Sequence, residues 1–260
     1  LFWLAAVVIV AGCSAATQIP PVTQVGTAGT GPPVTSTTAP TATSSSPLPD
    51  ERMEERITMV DSQIEMRGIT DPNVLEAMRT VPRHRFVPDD NRDVAYGDHP
   101  LPIGYGQTIS QPFIVAMMSE ALEVGPGDKV LEIGAGSGYQ AAVLSAMGCE
   151  VYTMEIVPEL ATRAETILSE LGYNVTVSTA DGYFGWGEHA PFDGIIVTAA
   201  ADHVPEPLIE QLKDGAAMVI PVGPIGAVQT LWRFTVDDDG HVSGKNLGLV
   251  RFVPFTRAGE

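Results

Sequence analysis

Between residues 129 and 222, short apolar β-branched runs alternate with segments of helical period, and this alternation leaves few architectures open. Residues 129–133, 150–154, 175–179, 193–198 and 216–222 read as strands. Residues 139–147, 158–171 and the shorter 207–213 read as the helices between them. Strands separated by helices pair in parallel through right-handed crossovers, which predicts an α/β fold with an open, doubly wound, Rossmann-like and mostly parallel sheet. After it, 229–236 and 246–253 flank the turn signal Asp237-Asp238-Asp239-Gly240 and predict an antiparallel C-terminal strand pair.

Ahead of the sheet, Ile57, Val60 and Ile64, then Val74, Leu75 and Met78, fall at helical spacing. They predict an N-terminal helical extension of two short helices, broken at Gly68 and restarted at Asp71-Pro72, where Asp caps and Pro takes the first turn. Residues 89–107, rich in Pro, Gly and His, predict an ordered loop. Ser110-Gln111-Pro112 then offers a capping hydroxyl and an early Pro to an apolar helix over 113–122.

Charge divides the chain. Residues 1–49 hold no Asp, Glu, Lys or Arg, whereas the whole carries 32 acids against 14 bases and a formal charge of −18. With so few bases there is no cationic surplus to displace counterions from a phosphate backbone, which argues against electrostatic capture of nucleic acid and leaves none expected as a partner. Residues 1–11 (LFWLAAVVIVA) are too short to span a bilayer and suit the apolar core of a secretory signal. Val10-Ala11-Gly12-Cys13 resembles the bacterial lipobox, so 1–13 are expected to be a signal segment ending at a lipidated Cys13. With neither a basic segment nor an initiator Met ahead of it, the chain is expected to begin inside its signal or at a misassigned start. Residues 14–49, almost wholly Thr, Ser, Pro, Ala and Gly, read as a disordered tether, and 50–260 as the folded domain. The location expected is that of an exported, membrane-anchored lipoprotein, periplasmic or at the cell surface, or the cytoplasm if the front segment is no working signal.

The strongest candidate site is Val130-Leu131-Glu132-Ile133-Gly134-Ala135-Gly136-Ser137-Gly138-Tyr139, a strand running into a glycine-rich turn and a helix. Glycines let the backbone approach a ligand closely, and the helix start supplies unpaired amides. Tyr139 stands where a dinucleotide fingerprint wants its last Gly, which turns the reading from NAD toward another adenosine-containing ligand. Glu155 ends the next strand about 20 residues on, where a carboxylate can accept ribose hydroxyls, and Asp181-Gly182 follows the third strand. Two cysteines, Cys13 and Cys149, are too few for a disulfide scaffold or a Cys-based zinc site. His84, His99, His189, His203 and His241 show neither metal spacing nor a nucleophile–base pattern, so no metal is expected. Cys149 reads as buried, Trp186 as either lining the site or packing, and 237–239 as a solvated turn.

At these residues the chain resembles the class I S-adenosylmethionine-dependent methyltransferases, and among them the protein-L-isoaspartate O-methyltransferase family. The resemblance runs from about Met53 to Arg257 and is most specific over Leu101-Pro102-Ile103-Gly104-Tyr105-Gly106-Gln107-Thr108-Ile109-Ser110-Gln111-Pro112. Val81–Val87, Pro191–Ala200 and Val250–Phe255 also look like family segments. The resemblance implies that Ser110 is the active-site residue and that Gly134, Ala135, Gly136, Ser137, Gly138, Glu155, Asp181 and Gly182 hold S-adenosylmethionine, with Thr256 near the cofactor. Ser110 keeps two readings, helix cap and active-site residue. The implied substrates are isoaspartyl residues of damaged peptides and proteins, and the implied state is a monomer. An acceptor carboxylate is already ionised at neutral pH, so no base is required. Two rivals stay open: a methyltransferase with a small-molecule or RNA acceptor, against which Thr108-Ile109-Ser110 argues, and a non-catalytic lipoprotein on the same fold.

Overall fold

The computed structural model describes residues 52–237 and 239–259; the expected signal at 1–13, tether at 14–49 and lipidated Cys13 lie outside them. Helix α1 (Met53–Met59) runs on through a π-helical turn at Val60–Ile64 and a tighter turn at Glu65–Arg67. It stops at Gly68, whose φ of 98° only glycine adopts without strain. Helix α2 (Pro72–Thr80) begins as expected, Asp71 accepting the amides of Asn73 and Val74 at 2.8 and 3.0 Å with Pro72 in the first turn. Most of the apolar stripe that predicted these helices is buried: Val60, Ile64, Val74, Leu75 and Met78 join the main core, whereas Ile57 stays exposed.

Residues 89–107 are not simply a loop. Strands β1 (Leu101–Gly104) and β2 (Gln107–Ile109) pair antiparallel, Leu101 opposite Ile109. Tyr105 and Gly106 turn the hairpin with φ of 55° and 73°, the positive pair that a two-residue turn with the twist of its strands needs. Helix α3 (Pro112–Leu122) corrects a second expectation, because Ser110 does not cap it. Gln111 occupies the cap position without a side-chain bond there, and the Phe113 amide donates instead to Asp98 Oδ1 at 3.1 Å.

The main sheet is built from β3 (Lys129–Ile133), β4 (Glu150–Glu155), β5 (Val175–Thr179), β6 (Phe192–Val197), β7 (Leu212–Val222), β8 (Gln229–Val236) and β9 (Val242–Val250). Their order is β5-β4-β3-β6-β7-β8-β9, the first five parallel to one another and the last two antiparallel. This is the doubly wound, Rossmann-like sheet expected, with strand order diverging from β3 and β6. Helices α4 (Tyr139–Ala146) and α5 (Pro158–Glu170) make the crossovers on one side, and α6 (Glu206–Ile209) precedes β7. Successive strand residues face opposite ways: Val130, Val151 and Val219 enter the core with α1 to α5, while Leu131, Ile195 and Met218 enter a second core with Leu208 of α6.

Element bounds shift at two places. Helix α6 covers four residues rather than 207–213, and β7 begins at Leu212 rather than 216. Leu212 pairs with Phe192, and the register then shifts so that Ala217 pairs with Gly194, the extra residues passing through Gly215 at φ 78°. Strand β9 spans Val242–Val250 rather than 246–253, because the turn closes tightly. Asp237 Oδ1 accepts the amides of Asp239 and His241 at 3.1 and 2.8 Å, which sets Val236 opposite Val242.

Cys149 is buried with its thiol on the Gly125 carbonyl, and burial, helped by Asp128 and Asp193, pushes its pKa up to about 12. Trp186 packs: its ring meets Tyr152 and His189 at centroid distances of 5.7 and 4.7 Å.

Candidate active site

Ligands of open α/β sheets bind beyond the carboxyl ends of the strands where the order diverges, here β3 and β6. At the end of β3, Gly134, Gly136 and Gly138 take φ of 95°, 50° and 85°. A Cβ on Gly134 would stand 2.5 Å from Thr198 Oγ1, at the end of β6. That hydroxyl donates to the carbonyls of Gly134 and Ile133 at 2.6 and 3.0 Å, so it fastens the turn to the neighbouring strand. Gly138 starts α4 where a Cβ would press at 3.3 Å on Ala164 and Leu168 of α5. Ala135 and Ser137 are buried, and Ser137 Oγ accepts the Tyr139 amide at 3.2 Å.

Glu155, 6% exposed at the end of β4, accepts the Gly136 amide at 2.8 Å through Oε2 and the Val157 amide at 3.0 Å through Oε1. One carboxylate thus joins the glycine turn to the start of the next crossover. A cleft opens there, lined by Gly134, Gly136, Glu155, Gly182 and Thr256 together with apolar Ile156 and Phe255. A carboxylate among apolar walls suits a nucleoside.

Asp181 is placed differently from its neighbour Gly182. Its Oδ1 caps the short turn Gly182–Phe184 through the Tyr183 amide at 3.0 Å. Its Oδ2 accepts Arg257 Nε and the Ala258 amide, both at 3.1 Å. Burial alone would raise this carboxyl, but the Tyr183 and Ala258 amides and the Arg257 guanidinium outweigh it and hold the pKa below the usual value. Arg257 also lies 3.6 Å from the Tyr183 ring centroid. The tail arrives there because the Ala200 amide bonds the Val253 carbonyl and the Phe255 amide bonds the Ala200 carbonyl, both at 2.8 Å. Residues 253–258 are therefore a strap forming one wall of the cleft. Arg257→Leu should cost about 1 kcal/mol of strap closure, since the ion pair is partly exposed and the ring contact modest. Affinity for S-adenosylhomocysteine should fall about fivefold, by calorimetry, with the change in the dissociation rate; an unchanged dissociation rate would remove the strap from ligand retention.

A second, roomier groove of about 550 Å³ holds Ser110, Gln111, Val228, Leu249 and Arg251. Thr108 and Thr198 line both spaces and mark where they meet. A small recess between them is lined by Ser110, Ser137, Gln140 and Glu132. Glu132 is fully buried; its Oε2 accepts Thr153 Oγ1 at 2.5 Å, while Oε1 is buried without a partner. Burial pushes its pKa up to about 8, Glu155 adding to the rise and the Thr153 bond opposing it. Between the ordinary 4.5 and about 8 the unfolded chain therefore releases a proton that the folded protein keeps. Stability should fall as pH rises through that window, and Glu132→Gln should flatten this part of the melting profile. Parallel profiles for the two proteins would count against a protonated Glu132.

The sequence-predicted residues Gly134, Gly136, Glu155, Gly182 and Thr256 meet at one cleft, with Ala135, Ser137 and Gly138 behind the turn and Ser110 across the junction. Sequence reasoning missed Gln107, Thr108, Thr198, Phe255, Glu132 and Arg257 as site residues. Thr108, Thr198 and Phe255 lay inside the family-like segments, which was the available signal. Among the described residues no group of three or more His, Cys, Asp or Glu is placed to hold a metal ion.

The model of the family described as protein-L-isoaspartate(D-aspartate) O-methyltransferase matches residues 54–260. A protein-L-isoaspartate O-methyltransferase of Gloeobacter violaceus is 58% identical over 200 residues, covering 76% of this chain and 97% of that one. Its counterpart in Opitutus terrae is 55% identical over 207 residues, covering 79% and 88%. A solved protein-L-isoaspartate O-methyltransferase superposes with a TM-score of 0.70 at 29% identity, covering 78% of this chain and 65% of that one. A putative protein-L-isoaspartate O-methyltransferase of Plasmodium falciparum, solved with S-adenosyl-L-homocysteine, shares the fold at 24% identity and a TM-score of 0.67, covering 77% and 98%.

Proposed function

The chain belongs to the protein-L-isoaspartate(D-aspartate) O-methyltransferase family, and from that premise we infer that it is a repair enzyme that methylates the free carboxylate of L-isoaspartyl residues in damaged peptides and proteins. Its methyl donor is S-adenosylmethionine. The observation that carries the reading is the meeting of two spaces at Thr108 and Thr198, the cleft at the glycine turn with Glu155 on its wall and the groove that holds Ser110.

The residues present fit the donor. In our reading Glu155 accepts the ribose hydroxyls while keeping Gly136 and Val157 in place, and Ile156, Phe255 and Thr256 flank the base. The unpartnered Glu132 Oε1 beside Ser137 suits a hydrogen-bond donor or cation at the methionine end, which would draw its pKa back down. Asp181 acts from behind the cleft through the strap and the Gly182 turn. When bound, the cofactor supplies an electrophilic methyl on a sulfonium; a carboxylate oxygen takes the methyl as the carbon–sulfur bond breaks and its electron pair stays on sulfur. No proton moves, so the chain need only align the acceptor and exclude water. Ser110 is the residue that orients the acceptor carboxylate. Ser110→Ala should lower kcat about tenfold, the usual worth of one hydrogen bond to a charged group, and retained full turnover would remove it from that role.

The whole chain should be incubated with labelled S-adenosylmethionine and matched isoaspartyl and aspartyl peptides, then assayed for base-labile methyl ester. Ester on the isoaspartyl peptide alone is expected. Cofactor bound without ester would point to another acceptor, and no cofactor bound would point to a non-catalytic protein.

For location, we propose a lipid anchor at Cys13 with residues 14–49 as its tether, supported by the lipobox-like Val10–Cys13 and the uncharged composition that follows. Among the described residues no helix is long and apolar enough to cross a membrane. Fatty-acid labelling lost in Cys13→Ala, with release from the membrane fraction, is the expected result. The protein is proposed to act as a monomer, which light scattering checks.

A further inference from the structure

Ser110 sits between two clamps. On one side Ile109 is paired to Leu101 in the hairpin; on the other, α3 begins at once, with Gln111 at its cap position and Pro112 in its first turn. A serine ahead of an early proline would ordinarily turn its hydroxyl onto the helix amides. Here that work is done by Asp98. Its Oδ1 accepts the Phe113 amide at 3.1 Å, and its Oδ2 accepts Gln111 Nε2 at 2.6 Å and pairs with Arg67 at 2.5 Å.

The carboxylate is held from several directions. The Arg67 guanidinium lies 3.4 Å from the Phe113 ring centroid, so the group that pairs with Asp98 also covers the first ring of α3. Asp98 adds its negative charge at the helix start, where the backbone dipole favours it. The fully buried Arg83 bonds the Ala95 carbonyl at 2.8 Å, three residues before Asp98 in the chain. Three bonds to two oxygens leave the carboxylate one orientation, and Gln111, which lines the acceptor groove beside Ser110, shares it.

We propose that Asp98 is a positioning residue for methyl transfer: by capping α3 in place of Ser110 and gripping Gln111, it leaves the Ser110 hydroxyl turned to the acceptor groove in a single orientation. The proposal rests on the isoaspartyl methyltransferase reading, which ester formation by the unaltered protein tests separately. Asp98 touches neither cofactor cleft nor groove wall, so it acts only through its neighbours.

The test is a double-mutant cycle of Asp98→Ala and Ser110→Ala in the whole chain. Asp98→Ala should lower kcat about tenfold, while affinity for S-adenosylhomocysteine stays within about twofold of the parent's. In the Ser110→Ala background the same change should cost nothing further, because the orientation it maintains no longer matters. An equal loss in both backgrounds, an unchanged kcat, or a loss that tracks cofactor affinity would overturn the proposal. If Asp98→Ala does not fold, Asp98→Asn carries the cycle. It keeps an oxygen for the Phe113 amide but not the Oδ2 acceptor that Gln111 and Arg67 share, and a smaller, equally non-additive loss of kcat is expected.

Discussion

Glu155→Ala should reduce affinity for S-adenosylhomocysteine about a hundredfold and lower the melting temperature as well. The carboxylate is nearly buried and accepts two backbone amides, Gly136 at 2.8 Å and Val157 at 3.0 Å. Hydrogen bonds to a charged group contribute about 1.5–3 kcal/mol each, and an orphaned amide adds its desolvation penalty. Alanine removes both acceptors and, in the reading above, the ribose contacts too. Glu155→Gln is the informative companion. It retains an oxygen for Val157 but turns an NH2 toward the Gly136 amide, setting donor against donor. Calorimetry should place it nearer to alanine than to the parent. Affinity within about threefold of the parent's in both variants would show that the glycine turn holds its shape without this carboxylate and that the ligand does not use it.

Gly134→Val should abolish measurable turnover. At φ 95° a β-branched side chain is strained, by about 1–3 kcal/mol, and the first added carbon would stand 2.5 Å from Thr198 Oγ1. That hydroxyl fastens the ends of β3 and β6 together and lines both the cofactor cleft and the acceptor groove. Displacing it therefore disturbs donor and acceptor alike. Gly104→Ala separates strain from collision, because Gly104 has a φ of 92° but nothing within 4 Å of an added Cβ. The Gly104 variant should lose some stability and keep binding cofactor. If Gly134→Val bound cofactor and turned over as the Gly104 variant does, crowding at Thr198 would not matter.

The glycine turn, Glu155 and the strand alternation were legible because each depends on a short stretch of chain: a positive φ selects glycine, and a buried strand shows as a run of apolar residues. The hairpin at 101–109 was written locally too, in Gly104-Tyr105-Gly106, but one proline and two glycines within nine residues disguised its strands. The cap of α3 was not legible. Its acceptor, Asp98, lies 15 residues before the amide it receives, and a window read around Ser110 finds only Ser110. Asp181 was half legible: its position at a strand end was evident, whereas its Arg257 partner is 76 residues off. What sequence reading loses here is the identity of a polar group's partner once the chain has closed on itself.

The strap over the cleft has a consequence for quality control of the purified protein. Every strand of the sheet is complete by Val250, yet one wall of the cofactor site is made afterwards, by residues 253–258. A chain clipped by a protease after β9 would keep every strand of its sheet and the buried residues of both cores, losing only Phe252 and Phe255 from their margins, and would still show a folded circular dichroism spectrum. Such material would look folded while lacking one wall of its cofactor site, so intact mass, and not the presence of a folded sheet, is the measurement that certifies an active preparation.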